Sequence, residues 1–270
     1  HSLASLPFCA YGGILADDDA AYRALDAVAQ ALAHRLNVGA LEYRNLAAQH
    51  AHWPTKELYV TFRKTIDPEI EANMNAIPRK QRAMVRKGIK AGLVGEIDSD
   101  TTRFFQAYSA SVHRLGTPVF SRRYFRLLKE VFGDDCEVLT ITLEGRLIAS
   151  VLSFYFRDEV LPYYGGGVAE ARGVAGNDFM YWDLMRRACE RGVKVFDFGR
   201  SKHGTGSFDF KKNWGFEPAP LFYEYFLVKD HEVPEINPLN PKYRLFIQAW
   251  KKLPLPLANM IGPHIVKNLG

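Results

Sequence analysis

The sequence predicts an α/β protein built on a mixed sheet, and three observations carry that reading. From Cys136 onward the hydrophobic pattern runs β-β-β-α-β-turn-β, the order of a mixed sheet with one crossover helix. The opening stretch, Ser2 to Phe62, reads as strand, helix, then two strands. Composition agrees: 47% apolar and 24% charged residues are the proportions of a folded globular protein. No apolar run approaches the roughly 18 residues that cross a bilayer.

Each element has its local reason. Ser2 to Ala10 is expected as a strand ending at Tyr11-Gly12-Gly13, and Asp17 to Asp19 supply caps for a helix over Ala20 to Leu36. Leu25, Val28, Ala29 and Leu32 form its stripe, and strands follow at Val38 to Tyr43 and Glu57 to Phe62. This unit looks like half a domain lacking its beginning. His1 stands where Met would open a chain, so the natural N-terminus is expected upstream. Ile77 to Leu93 is a helix started by Pro78 and stopped by Gly92, with Met84, Val85 and Ile89 as apolar positions. Arg79, Arg82, Arg86 and Lys90 share one face of it, Lys80 and Lys87 add charge, and no acidic residue intervenes. That face is either solvated or in contact with an anion through Arg82 and Arg86. Thr101 to Leu115 and Ser121 to Phe132 read as helices capped by Thr101 and Ser121. Cys136 to Leu143 and Arg146 to Phe156 form a hairpin across Glu144-Gly145, and Val160 to Tyr164 follows, running into Gly165-Gly166-Gly167. Asn177 opens a helix to Arg191 whose buried stripe is Met180, Leu184, Met185 and Ala188, and Leu221 to Val228 is the last strand. Prolines at 234, 238 and 241 lead to Tyr243 to Trp250 and an apolar tail flanked by Lys251, Lys252 and Lys267. The tail either packs on the body or lies on an anionic membrane surface.

Chemistry concentrates between Val193 and Pro218. An apolar strand, Val193 to Phe198, breaks into a loop holding Gly199, Gly204 and Gly206, then re-forms as an aromatic, basic helical turn around Phe208 to Trp214. Such a loop either makes a tight connection or turns backbone N–H groups toward a ligand. Arg200, Lys202, His203, Lys211 and Lys212 stand around it with Asp197 and Asp209 as counter-charges, which points to a phosphate or pyrophosphate. Tyr164 and Tyr181 line the same cleft or belong to the core, and a helix N-terminus at Gly176-Asn177 is a further phosphate site.

The 3 cysteines, Cys9, Cys136 and Cys189, are expected as buried reduced thiols. Neither they nor the 8 histidines have metal-ligand spacing, so no metal is expected. A net charge of +5 suits an anionic ligand or membrane face without indicating nucleic acid.

The F-D-F-G-R-S and G-T-G-S-F-D-F-K-K-N-W-G-F runs, with the β-β-β-α-β order, resemble the Fem family, transferases related to the GNAT acyltransferase fold. S-L-P-F-C-A-Y-G-G (5–13), I-P-R-K-Q-R-A-M-V-R-K-G-I-K-A-G-L (77–93) and W-K-K-L-P-L (250–255) resemble the FemAB-like proteins of the PEP-CTERM/exosortase-associated branch. The resemblance covers nearly the whole chain. It implies tandem GNAT-like units: a truncated first unit at 1–75, the basic helix at 76–94, a complete second domain at 95–230 and a helical tail at 231–270. Fem enzymes move an amino acid from aminoacyl-tRNA onto the amino group of a cell-wall precursor peptide, holding its pyrophosphate with basic residues. Their active-site lysine lies in an F-K-x-x-aromatic motif that falls here on Phe210 to Trp214, so the resemblance assigns that role to Lys211. Acetyl-CoA enzymes of this fold carry [QR]-x-x-G-x-[GA]; here Arg172-Gly173-Val174-Ala175-Gly176 places Ala175 where the first glycine belongs, which weakens acetyl-CoA as donor.

The resulting expectation is an acyl- or aminoacyltransferase of cell-envelope or exopolysaccharide synthesis. Its donor is aminoacyl-tRNA or acyl-CoA, with no tightly bound cofactor, and its acceptor is a nucleotide- or lipid-linked precursor. It is placed in the cytoplasm, with peripheral contact at the inner membrane. No G-x-S-x-G elbow or Cys–His pattern is present, which favours direct attack over a covalent intermediate. Lys211 and Arg200 are candidates for holding phosphate or the oxyanion, and Asp197, His203 and Asp209 for the base; Asp197 is equally a strand-end cap and His203 a plain loop residue. Lys211→Ala is expected to abolish transfer with melting nearly unchanged. The rival is a non-catalytic module that binds an anionic saccharide, lipid head group or RNA through the basic helix and the lysine-rich tail.

Overall fold

The computed structural model describes residues 2–233 and 241–267. The chain begins with β1 (Leu3–Ala4), α1 (Asp19–Arg35), β2 (Ala40–Asn45), β3 (Thr55–Lys56) and β4 (Tyr59–Thr65). Then come α2 (Ile70–Ala76), α3 (Arg79–Lys90), β5 (Val94–Asp98), α4 (Thr102–Leu115) and α5 (Arg122–Phe132). The central run is β6 (Cys136–Leu143), β7 (Arg146–Phe156), β8 (Glu159–Gly167), α6 (Gly176–Glu190) and β9 (Val195–Asp197). The last elements are β10 (Ser201–Lys202), α7 (Gly206–Asn213), β11 (Pro218–Pro220), β12 (Phe222–Leu227), α8 (Pro241–Lys252) and α9 (Leu255–Val266). Pro234 and Pro238 lie outside the described residues.

The expected strand over Ser2 to Ala10 shrinks to β1. Pro7 has no N–H to give a ladder, and Phe8 turns to φ 65, which ends extended backbone. The residues form two compact units: His1–Thr61, Arg200–Asp209 and Pro218–Asn237 in one, and Phe62–Gly199, Phe210–Glu217 and Pro238–Gly270 in the other.

In the first unit β12 runs antiparallel to β2 from Phe222↔Asn45 to Leu227↔Ala40, with β1 parallel on the far side of β2. Asp18 caps α1 by accepting from the Ala21 amide at 2.7 Å. Ala33 and Ala29 of α1 pack on Leu41 and Tyr43, whereas Leu25 and Val28, expected on the buried stripe, are exposed. Beside them a polar knot ties the sheet together. Buried Glu224 accepts from the amides of Gln49 (2.7 Å) and His50 (3.1 Å) and from the Asn45 side chain (2.7 Å). The His50 ring, 3.0 Å from the same carboxylate, stacks on Trp53.

The second unit is a sheet in the order β4-β9-β8-β7-β6-β5, antiparallel except for the β8–β9 pair. Glu144 and Gly145 take φ 51 and 76, the left-handed pair that a two-residue hairpin requires. Successive residues of β8 look at opposite faces. A Cβ on Gly165 would meet Met180 and Tyr181 of α6, while one on Gly166 would lie 2.5 Å from Ser111 of α4. The glycine run is thus where helices press on both faces of the strand. Phe104, Phe125, Val138, Leu152 and Tyr164 form the core beneath α4 and α5. Met180, Leu184, Met185 and Ala188 are buried on α6 as the periodicity predicts. The tail packs inward through Ala258, Gly262 and Val266, with Gly262 placed so that a Cβ would lie 3.0 Å from the Val119 carbonyl oxygen. Cys136 and Cys189 are buried free thiols; Cys9, expected to match them, is only half-buried.

Candidate active site

The strands of the second unit open where the chain turns toward its glycine loop. β8 pairs with β7 from Phe156↔Glu159 to Ala149↔Gly167 but with β9 only at Glu159↔Val195 and Val160↔Phe196. β9 stops at Asp197 because that carboxylate accepts the Gly199 amide at 2.7 Å, closing a turn in which Gly199 takes φ 68. β8 continues to Gly167, and its register skips Tyr163 between Ser153↔Pro162 and Leu152↔Tyr164. A bulge of this kind re-aims the backbone, and a strand edge that its neighbour leaves behind presents N–H groups to whatever enters the gap.

Helix α6 starts directly after β8. Ala175, which stands at the glycine position of the acetyl-CoA motif, adopts φ 56, a left-handed conformation that glycine takes most readily. The first amides of α6 bring the positive end of the helix to the sheet opening. In its first turn Asp178 is buried and accepts from the Gln81 side chain and from Trp214 Nε1 at 3.3 Å. Burial raises the Asp178 carboxyl above the usual carboxylate range, against the pull of those donors. One turn on, the Tyr181 hydroxyl lies 3.1 Å from where a Cβ on Gly165 would sit, and burial pushes it up to about 12. Its ring meets Phe198 edge-on at 5.0 Å and leans on Phe210 and Trp214. Asp178 escaped the sequence reading; the one local signal was a carboxylate in the first turn of a helix, which usually marks a cap.

Among the expected site residues of this unit, Lys211 is buried, donates from Nζ to the Gly199 carbonyl at 2.9 Å and lies over the Phe62 ring. Asp197 is buried too, with Arg63 Nε 3.4 Å from its second oxygen. Lys211 and Asp197 therefore hold the two backbone groups of one residue, Gly199. Tyr164 is a core ring rather than a lining one, packed on Phe125 and bonded to the Tyr124 hydroxyl at 2.9 Å. Asn177 and Lys212 are exposed. On α3, Arg86 is exposed and Arg82 donates to the Asn75 carbonyl and side chain.

Arg200, Lys202, His203, Gly204 and Gly206 belong to the first unit. Arg200 donates to the Tyr223 hydroxyl at 2.8 Å and stacks 4.7 Å above the Tyr59 ring. Lys202 is half-buried, and its carbonyl accepts from the Thr205 hydroxyl to shape the loop. His203 is exposed with its ring 5.1 Å from Phe208. Gly204 takes φ 70, and a Cβ at Gly206 would meet open space. Among the described residues no group of three or more His, Cys, Asp or Glu side chains is placed to hold a metal ion, and no helix is long and apolar enough to cross a membrane.

Residues 74–212 match the family described as an acetyltransferase (GNAT) domain. No curated protein matches the chain. Among solved structures, FemX superposes with a TM-score of 0.65 at 15% identity, over 92% of this chain and 83% of that one. The C-terminal domain of a putative lysylphosphatidylglycerol synthetase from Agrobacterium fabrum gives a TM-score of 0.59 at 14% identity, over 77% and 74%. L-PGS from Bacillus licheniformis gives 0.59 at 11%, over 87% and 80%. At these identities the likeness is one of fold.

Proposed function

The chain belongs to the acetyltransferase (GNAT) domain family, and from that premise we propose an acyl- or aminoacyltransferase that modifies a cell-envelope precursor at an amine or hydroxyl. The observation that carries the reading is the gap between β8 and β9 with the α6 N-terminus beside it. Acyl transfer needs a carbonyl held where N–H donors meet the oxygen as it gains charge, and the opened β8 edge supplies donors fixed in advance. A phosphate-bearing donor, acyl-CoA or aminoacyl-tRNA, places its negative charge at the α6 amides. The acceptor nitrogen or oxygen attacks the carbonyl carbon, the new amide or ester bond forms, and the C–S or C–O bond to the donor breaks. The attacking group's proton goes to a base, and a proton is returned to the departing thiolate or alkoxide. Asp178, with its raised carboxyl at this helix start, is the candidate base within this unit.

Aminoacyl-tRNA and an envelope acceptor are favoured by the names of the structural neighbours, FemX and lysylphosphatidylglycerol synthetase. Membership of the exosortase-associated branch, and with it exopolysaccharide as the setting, rests on the sequence runs at 5–13, 77–93 and 250–255. In this reading residues 1–75 form the first GNAT-like repeat, and the protein works in the cytoplasm against the inner membrane. A mass-spectrometric screen of aminoacyl-tRNAs and acyl-CoAs against nucleotide- and lipid-linked precursors tests it. The expected result is an acceptor mass increased by one acyl or aminoacyl group. No transfer from any donor, with salt-sensitive binding of RNA or anionic vesicles to the exposed Arg79, Arg86 and Lys90 face, would establish the non-catalytic module instead.

A further inference from the structure

A hollow of the second unit lies among α4, α5 and α9. It is a groove of about 520 Å³ walled by Phe105 and Ser109 of α4, Arg122 of α5, and Leu255, Asn259 and Met260 of α9. Its volume is that of a small-molecule site. The walls are mainly apolar, and the polar groups among the lining side chains are neutral or cationic, with no carboxylate. Asn259 reaches the Ser109 hydroxyl at 3.4 Å within it, and the Arg122 guanidinium lies 4.7 Å over the Phe105 ring at its edge. Arg122 also opens α5, whose first turn carries no acidic residue, so its charge adds to the positive helix end. Among the lining residues Met260 is 65% exposed.

An apolar trough with one cation, Arg122, at its edge and no anion among its lining residues fits a molecule that is hydrocarbon for most of its length and negative at one end. We propose that this groove binds the hydrocarbon chain of an anionic lipid, with the charged head group against Arg122. The inner side of α9 is consumed by packing, through Ala258 and Gly262, while its Met260 side stays open to receive the chain. The inference deepens the transferase reading, because a lipid-linked acceptor brings such a chain with it, yet binding is measurable without any turnover.

The test is isothermal titration of the whole chain with dodecyl phosphate below its micelle concentration, with dodecyl trimethylammonium and inorganic phosphate as controls. One saturable site for dodecyl phosphate is expected, with no binding of either control at the same concentrations. Arg122→Gln should weaken that site about tenfold or more, the effect of removing a charge-assisted hydrogen bond. Met260→Glu, a change at an exposed position, should weaken it further by repulsion, and both variants should melt with the parent. Equal binding of the ammonium amphiphile, an unchanged affinity in Arg122→Gln, or no binding at all would overturn the proposal. Acyl transfer to a soluble acceptor is followed in parallel: transfer without dodecyl phosphate binding removes the lipid groove alone, and binding without transfer removes the transferase reading alone.

Discussion

Replacing Lys211 separates its two possible duties, because the structure gives its ammonium a definite partner. Lys211→Met keeps most of the stem over Phe62 and deletes the bond from Nζ to the Gly199 carbonyl. A hydrogen bond from an ionised donor contributes about 1.5–3 kcal/mol, so a loss of about 2 kcal/mol is expected. For a chain of this size that is a melting point lower by about 4–8 °C. Lys211→Ala also forfeits the buried stem at about 0.8 kcal/mol per methylene, roughly 2 kcal/mol more. The melting transition, nearly unchanged on the sequence argument alone, should therefore fall in both variants, and further in alanine. Scanning calorimetry measures the shift, and turnover is read well below the lowered transition. An ammonium that meets the developing oxyanion would leave Lys211→Met at least about a hundredfold slower while fully folded. A purely structural lysine would leave it at parental rate on cooling. If Lys211→Met melts within about 1 °C of the parent, the bond to Gly199 contributes nothing and the reasoning fails at its first step.

Three other outcomes follow from buried groups. Burial alone would raise the Glu224 carboxyl, but the His50 ring, the His50 and Gln49 amides and the Asn45 side chain hold it below the usual range. Its stabilisation is therefore complete above the unfolded carboxyl's pKa near 4.5 and is lost as pH falls below it. Urea titrations at pH 7 and pH 3.5 should show Glu224→Gln weaker than the parent at neutral pH, with the gap narrowing in acid. Asp178 has the opposite sign: its raised carboxyl costs stability as pH rises past the ordinary carboxylate value. Asp178→Asn should thus be at least as stable as the parent at pH 7, while Asp178→Ala, which strands Gln81 and Trp214, should lose about 1–3 kcal/mol in the same titration. Gly166→Ala would drive a methyl to 2.5 Å from the Ser111 Cβ and cost about 1–3 kcal/mol; adding Ser111→Gly should restore much of it in a double-mutant cycle.

What the sequence made legible was whatever local chemistry decides. Ser121 caps α5 by accepting the Tyr124 amide at 3.1 Å, and Glu144-Gly145 turns the hairpin, both as their residue types require. Thr101 fails as a cap because Asp100, one residue earlier, accepts the Thr102 amide at 2.7 Å. β5 went unseen because V-G-E-I-D has neither clean alternation nor β-rich composition. It is a strand because Val94 to Asp98 pair with β6, and because Arg103 and Thr142 answer the carboxylate of Glu96. The run Gly165-Gly166-Gly167 reads from the sequence only as the glycine end of a strand, since nothing local shows that α4 and α6 press on it from both sides. Asp178 was invisible for the same reason: Gln81 and Trp214, its partners, are remote in sequence.

That division bears on how the proposed chemistry is carried. A site made of side chains has to keep their identities, and the residues first suspected here are largely committed elsewhere in the fold: Arg200 to Tyr223 and Tyr59, Tyr164 to the aromatic core, Lys211 and Asp197 to the two backbone groups of Gly199. A site made of backbone needs only the shape. Here the shape comes from the bulge at Tyr163, the early end of β9 and the left-handed Ala175 that starts α6. On this view Lys211 and Asp197 act by pinning Gly199, and so by keeping β9 short and the gap open. Donors fixed in this way need no reorganisation as charge develops on a carbonyl oxygen, the condition under which a hydrogen bond lowers a barrier most.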